Sequence, residues 1–233
     1  MIGFFLCIAS LAGCGPRAHI PPIPVSLERA LAPLDSGAVL ARQLAPVLYV
    51  TPAEKFPLVR VVAVLHPSLR LIAYNLLWSD DIHGSWIPFT VATDQEIVWV
   101  GYDESRAPTD VWTYWHGFFL HTPWPKKQVE INVQWGKHGS MPRGMNIRDL
   151  PPSHSLKLFY GATMVLLPDI LLGDLTRRGP LCFCHTYGEY LNYSIPIRVS
   201  DRIDFVVRQA NPDPQLRAVF GHYSQKPFWP LGF

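Results

Sequence analysis

The sequence predicts a mostly β protein: an antiparallel β-sandwich, jelly-roll-like, with a few short helices. Three observations carry that expectation. Short runs rich in β-branched and aromatic residues, closed by Pro, Ser or Asp, recur as FPLVRVVAVLHP, LRLIAYNLLW, EIVWVGYD and DVWTYWHGFFLH. The run QVEINVQW alternates cleanly, with Val129, Ile131, Val133 and Trp135 on one face and Gln128, Glu130, Asn132 and Gln134 on the other. No helical crossover segments separate these runs, which points away from a parallel α/β sheet.

Taken in order, the chain opens on MIGFFLCIASLAGCG, an uncharged apolar run too short to span a bilayer, which needs about 20 apolar residues. Its length suits a secretory signal segment. Leu11-Ala12-Gly13-Cys14 resembles the bacterial lipobox, in which two small residues precede a cysteine that receives a lipid. The expectation is a lipoprotein signal peptide at residues 1–13 and a palmitate-type anchor on Cys14, with a Pro-rich tether over 14–25. No aspartate follows Cys14, so the outer membrane, periplasmic face, is the expected position. The alternative is a buried apolar strand that ends in Gly-Cys. With Cys7 lost and Cys14 acylated, Cys182 and Cys184 remain. They read as a cramped disulfide, half of a metal site, or two small buried residues on one strand face.

Residues 26–233 are read as one domain. SLERALAPLDSGAVLARQLAPVLYV suggests one or two short helices, with Ser26 as N-cap. HSLKLFYGATMVLLPDILLGDL reads as a buried helix broken at Pro168, while YLNYSIPIRV and RIDFVVRQ return to strand character. NPDPQLRAVFGHY reads as a short helix with Pro212 or Pro214 in its first turn. Read as one strand, DVWTYWHGFFLH sends Trp112, Tyr114 and Phe118 to one face and Trp115 and Phe119 to the other. Both faces are then apolar, as in a central strand; the alternative is an aromatic platform that faces a lipid or glycan. Charged residues make up only 16% of the chain, and its net charge is +2. Its largest basic clusters are Lys126-Lys127 and Arg177-Arg178, so nucleic acid is not an expected partner.

Four segments in order resemble the vacuolar protein sorting-associated protein 62 family: LAPVLYVTPAEKFPL, TDQEIVWVGYD, VWTYWHGFFLHT and QWGKHGSMPRG. The related necrosis- and ethylene-inducing-like proteins carry a His-Asp-Trp-Glu motif at the place of the second segment. The resemblance implies a β-sandwich. In the necrosis-inducing branch it also implies a divalent cation held by the Asp and Glu of that motif, near a cleft that meets glycolipid head groups. Asp94 and Glu96 match the acidic pair, while Gln95 stands where the Trp is expected and Val91 where the His is expected.

The residues themselves allow the same reading. Positions two apart on a strand share a face, and two carboxylates there repel unless a cation lies between them. Carboxylate oxygen suits Ca2+, Mg2+ or Mn2+. The candidate metal set is Asp94, Glu96, His116 and His138, with Asp80, Asp81 and His83 able to complete the shell. In the competing reading Asp94 caps a turn while Glu96 meets an arginine or water. Ser140 lies two residues from His138, but the strand–turn–helix setting of a nucleophile elbow is absent. The expected function is a lipid-anchored envelope module that binds a lipid head group or glycan, or serves structurally. The alternative is a metal-assisted hydrolase acting on an envelope lipid or glycan.

Overall fold

The computed structural model describes residues 23, 29–52, 54, 56–79, 94–115, 117–145, 150, 192–211, 213–220, 226–230 and 232. The signal segment with Cys14, the N-cap candidate Ser26, the acids Asp80 and Asp81, His83, His116, the Pro168 helix and Cys182 and Cys184 lie outside them. The described part is mostly β. Strands β1 (Val47–Val50), β7 (Glu130–Val133), β8 (Ser140–Pro142) and β9 (Ile195–Arg198) form a four-stranded sheet in the order β8-β7-β1-β9. A six-stranded sheet runs β10-β2-β3-β4-β5-β6. It comprises β2 (Leu58–Leu65), β3 (Leu71–Trp78), β4 (Asp94–Tyr102), β5 (Pro108–Trp115), β6 (Phe118–Pro123) and β10 (Ile203–Arg208).

The apolar runs FPLVRVVAVLHP, LRLIAYNLLW and EIVWVGYD became β2, β3 and β4, which are covered on both sides. Val61, Ala63, Ile72, Tyr74, Leu76, Val98 and Val100 meet Leu48, Ile131 and Val133 of the small sheet in one apolar layer. The alternate residues Val62, Val64, Ala73, Ile97 and Trp99 pack on the opposite side against Leu216, Val219, Phe220 and Trp229. A strand buried on both faces needs apolar residues at every position, and β3 is buried along its whole length.

Two sequence expectations change here. The sandwich is largely antiparallel, yet β1 pairs parallel with β7 and β10 pairs parallel with β2. Residues 108–123 form a hairpin and not one strand, reversing between Trp115 and Phe118, where Gly117 has φ 90°. Tyr114 therefore pairs with Phe119, and both join Trp112 over the outer layer. Trp115 instead packs with Leu120 and Met141. Phe118 is left exposed.

Helix α1 (Ser36–Gln43) is capped by Asp35, whose side chain accepts from the Gly37 N–H. Helix α2 (Pro214–Val219) is capped by Asp213, with Pro214 in its first turn as the sequence suggested. At the end of α1, the Ala45 N–H turns to the Arg42 carbonyl, and the Ala41 carbonyl is taken by the Tyr74 hydroxyl at 2.7 Å. Both partners are buried, so this bond ties α1 to the large sheet. Tyr74→Phe strands the Ala41 carbonyl and is expected to lower unfolding free energy by about 1–3 kcal/mol with the fold unchanged, measured by urea unfolding.

Candidate functional site

Asp94 and Glu96 open β4, and pleating turns both toward the layer between the sheets, the side on which Val98 and Val100 lie. They find different partners. Asp94 Oδ2 lies 2.9 Å from His138 Nδ1, while Glu96 Oε1 is bonded by the Lys226 ammonium, which also donates to the Gln95 carbonyl. The β4–β5 ladder runs from Val98 to Tyr102, so the backbone at 94–96 has no registered neighbour on β5, and Lys226 meets it there.

His138 is completely buried in the turn between β7 and β8. Its N–H bonds the Gln134 carbonyl at 2.9 Å, and its φ of 50° is unusual for a residue with a side chain. The neighbouring glycine sits in a tight space. A Cβ on Gly139 would come within 2.9 Å of Gln134 Oε1 and 3.0 Å of the Trp115 ring. The imidazole then stacks on Trp78, with centroids 4.3 Å apart and planes 6° from parallel, and meets the edge of Phe56. Its Nε2 sits 3.4 Å from Glu54 Oε1, an ion-pair contact longer than a normal hydrogen bond. Glu54 is held in turn by the N–H groups of Gly136 and Phe56, at 2.9 and 3.0 Å.

The buried cluster thus sets three carboxylates against two cations. Burial alone would raise the Asp94 carboxyl, but its bond to His138 and the charge of Lys226 hold it below the usual range. Burial likewise works against Glu54, and the His138 contact and two backbone N–H groups hold it low. Burial favours the neutral imidazole of His138, yet the two carboxylates outweigh it and raise His138 to about 9. Burial also pulls Lys226 down, and the charges of Glu96 and Asp94 reverse that. Glu96 carries the surplus negative charge. Burial, with Asp94 close by, pushes it up to about 8 in spite of Lys226.

Of the expected metal set, the structure brings Asp94 to His138 and sends Glu96 to Lys226, while His116 lies outside the described residues. Among the described residues, no three His, Cys, Asp or Glu side chains gather as a metal site would require. Ser140 Oγ reaches the His138 carbonyl at 3.5 Å and not the ring. Both imidazole nitrogens face carboxylates, so the ring is placed to hold charge and not to take a proton from a substrate. His121 forms its own exposed pair with Asp110 at 2.8 Å, stacked on Trp112.

Glu54, Phe56 and Trp78 also line a cleft of about 420 Å³ with Val50, Thr51, Leu58 and Arg202. Behind its wall, Thr51 Oγ1 and Trp78 Nε1 are buried with no hydrogen-bond partner among the described residues. Sequence reasoning missed Glu54, Trp78 and Lys226. Glu54 lay in view within PAEKFPL, whereas Lys226 stands 130 residues from Glu96 with no local signal.

No family model and no curated protein matches the chain. Among solved structures it is similar to NLPPya in complex with glucosamine, with 15% identity, TM-score 0.37, and 53% of this chain and 73% of that one covered. NLPPya in complex with mannosamine shows 14% identity, TM-score 0.39, and coverage of 55% and 75%. Necrosis and Ethylene inducing Protein 2, from the causal agent of cocoa's Witches Broom disease, shows 14% identity, TM-score 0.32, and coverage of 46% and 72%.

The shifts at His138 and Glu96 fix a pH dependence. Both groups bind protons more tightly when folded, so their contribution is full below their ordinary values of 6.5 and 4.5 and is lost as pH rises through about 9 and about 8. Asp94 and Glu54 are lowered and lose their contribution only in acid. The melting temperature is therefore expected to be highest in mild acid and to fall steadily from neutrality to pH 9. His138→Gln should cost about 3–5 kcal/mol in mild acid, because it leaves two buried carboxylates without their cation, and the alkaline fall should flatten. Circular-dichroism melts of both proteins across pH check this. Parallel curves would refute the assignment.

Proposed function

We propose that the protein is a binding module of the cell envelope, held to the membrane by lipid on Cys14, and that the cleft beside His138 is its ligand site. The observation that carries this reading is the cleft itself, an apolar hollow beside the buried charge cluster with one exposed cation in its lining. The apolar surfaces of Val50, Phe56, Leu58 and Ile197 line it, and Arg202 supplies the cation. A volume of about 420 Å³ is in the range of small-molecule sites. Together these groups suit an amphiphile with an apolar body and a negative charge. An envelope lipid or glycolipid head group has that chemistry.

His138 and its carboxylates act behind the cleft wall. They lock Trp78 and Glu54 in place, so the wall is rigid before a ligand arrives, and binding then costs less ordering entropy. The LAGC segment supports an anchor that would keep the cleft near a membrane face. Loss of palmitate labelling in Cys14→Ala tests that part separately.

The cleft makes an opposed pair of expectations. Thr51→Val removes an unpaired buried hydroxyl, so it should stabilise the free protein by about 1 kcal/mol. Arg202→Ala should instead leave stability unchanged and weaken binding of a negatively charged ligand by about tenfold. Binding is read by co-sedimentation with phosphatidylglycerol vesicles against phosphatidylcholine vesicles, and on a glycan array. If Arg202→Ala binds as the wild type does, the cleft is not the ligand site.

A further inference from the structure

Two carboxylates on one face of β4 require a cation, and the sequence pattern invites a divalent one. The side chains present do not fit it. Calcium takes about six to eight oxygen ligands and magnesium about six in a near-ideal octahedron. Here Asp94 Oδ2 is engaged by His138, and Glu96 Oε1 and the Gln95 carbonyl are engaged by Lys226. A dication at this place would also sit beside an ammonium and an imidazolium.

We propose that Lys226 is a tethered counter-ion filling the cation position of the Asp94–Glu96 pair, so that this acidic face needs no divalent metal. The chemistry of the ammonium matches what surrounds it. Its donors meet the Gln95 carbonyl and Glu96 Oε1, and it lies 5.9 Å from the centroid of the Tyr114 ring. Its charge also acts on Asp94, so one cation serves both members of the pair.

The lysine is delivered by a segment that is fixed independently of it. Just beyond it, the Phe228 carbonyl accepts from Trp99 Nε1 at 2.8 Å, and the Trp229 indole donates to the Ala210 carbonyl. Trp229 packs with Leu216, Val219 and Phe220 over Trp99 and Ile97. Removing the ammonium therefore leaves the segment anchored, and it leaves Glu96 exposed to a different cation. Among the described residues, Glu96 Oε2 is buried without a hydrogen-bond partner, so its lone pairs remain for a cation that takes the ammonium's place.

Melting temperature with added Ca2+, Mg2+ or Mn2+, each followed by EDTA, tests the assignment in the full chain. Wild type should show no shift. Lys226→Met, which keeps the apolar stem, should melt roughly 5 °C lower and should gain a rise with Ca2+ or Mn2+ that EDTA reverses. Lys226→Arg should stay close to wild type and ignore all three ions. If Lys226→Met does not fold, the double variant Glu96→Gln/Lys226→Met should restore folding, since it removes the buried charge with its partner. An EDTA-reversible rise in wild type overturns the proposal. So does a folded Lys226→Met that ignores every ion, or a double variant that is not rescued.

Discussion

The large sheet has no solvent face over β2, β3 and β4, and much of the molecule answers to that constraint. Apolar surface on both sides of three adjacent strands has to be covered twice: once by the small sheet, and once by α2 and the segment around Trp229. The second cover brings chain from far along the sequence against β4. It sets Lys226 beside the strand where the β4–β5 ladder has stopped, at the point where the acids lie. The electrostatics of the site are thus a by-product of how the sheet hides its outer face.

Inside the sandwich, charge is balanced almost to neutrality by groups that belong to the chain. Burying an ion is expensive unless its partners are well placed, and removing one partner costs more than the pair contributes. His138 shows how the chain meets that condition. It accepts a left-handed backbone conformation in exchange for a ring held between Trp78 and Phe56, with a carboxylate at each nitrogen. Glu96 is the group left over, and burial beside Asp94 pushes its carboxyl upward in spite of Lys226. Trp78 and Glu54 belong both to this layer and to the cleft wall.

The strands were readable in the sequence because burial on both faces writes itself as unbroken apolar runs, as in LIAYNLLW, and burial on one face as alternation, as in VEINV. The α2 cap was readable because Asp-Pro is a local signal. What escaped depends on distance. The parallel pairings of β1 with β7 and β10 with β2 join segments with no local mark of direction. The hairpin at Gly117 hid in a continuous aromatic run, since one glycine reads equally as a bulge or a turn. Asp94, Glu96 and His138 were legible as chemistry, but their pairing was not. Nothing near TDQE says that Lys226 is the partner of one and Glu54 the second partner of the histidine.

The anchoring of residues 228 and 229 by Trp99 and Ala210 has a further meaning for the lysine beside them. A counter-ion carried on a folded segment has an effective concentration set by the protein's own geometry and not by its surroundings. It is neither diluted nor chelated, and it cannot be outcompeted by a neighbour with higher affinity for the same ion. With Lys226 as the proposed counter-ion, occupancy of the cation position then follows folding and not the divalent-ion content of the surroundings.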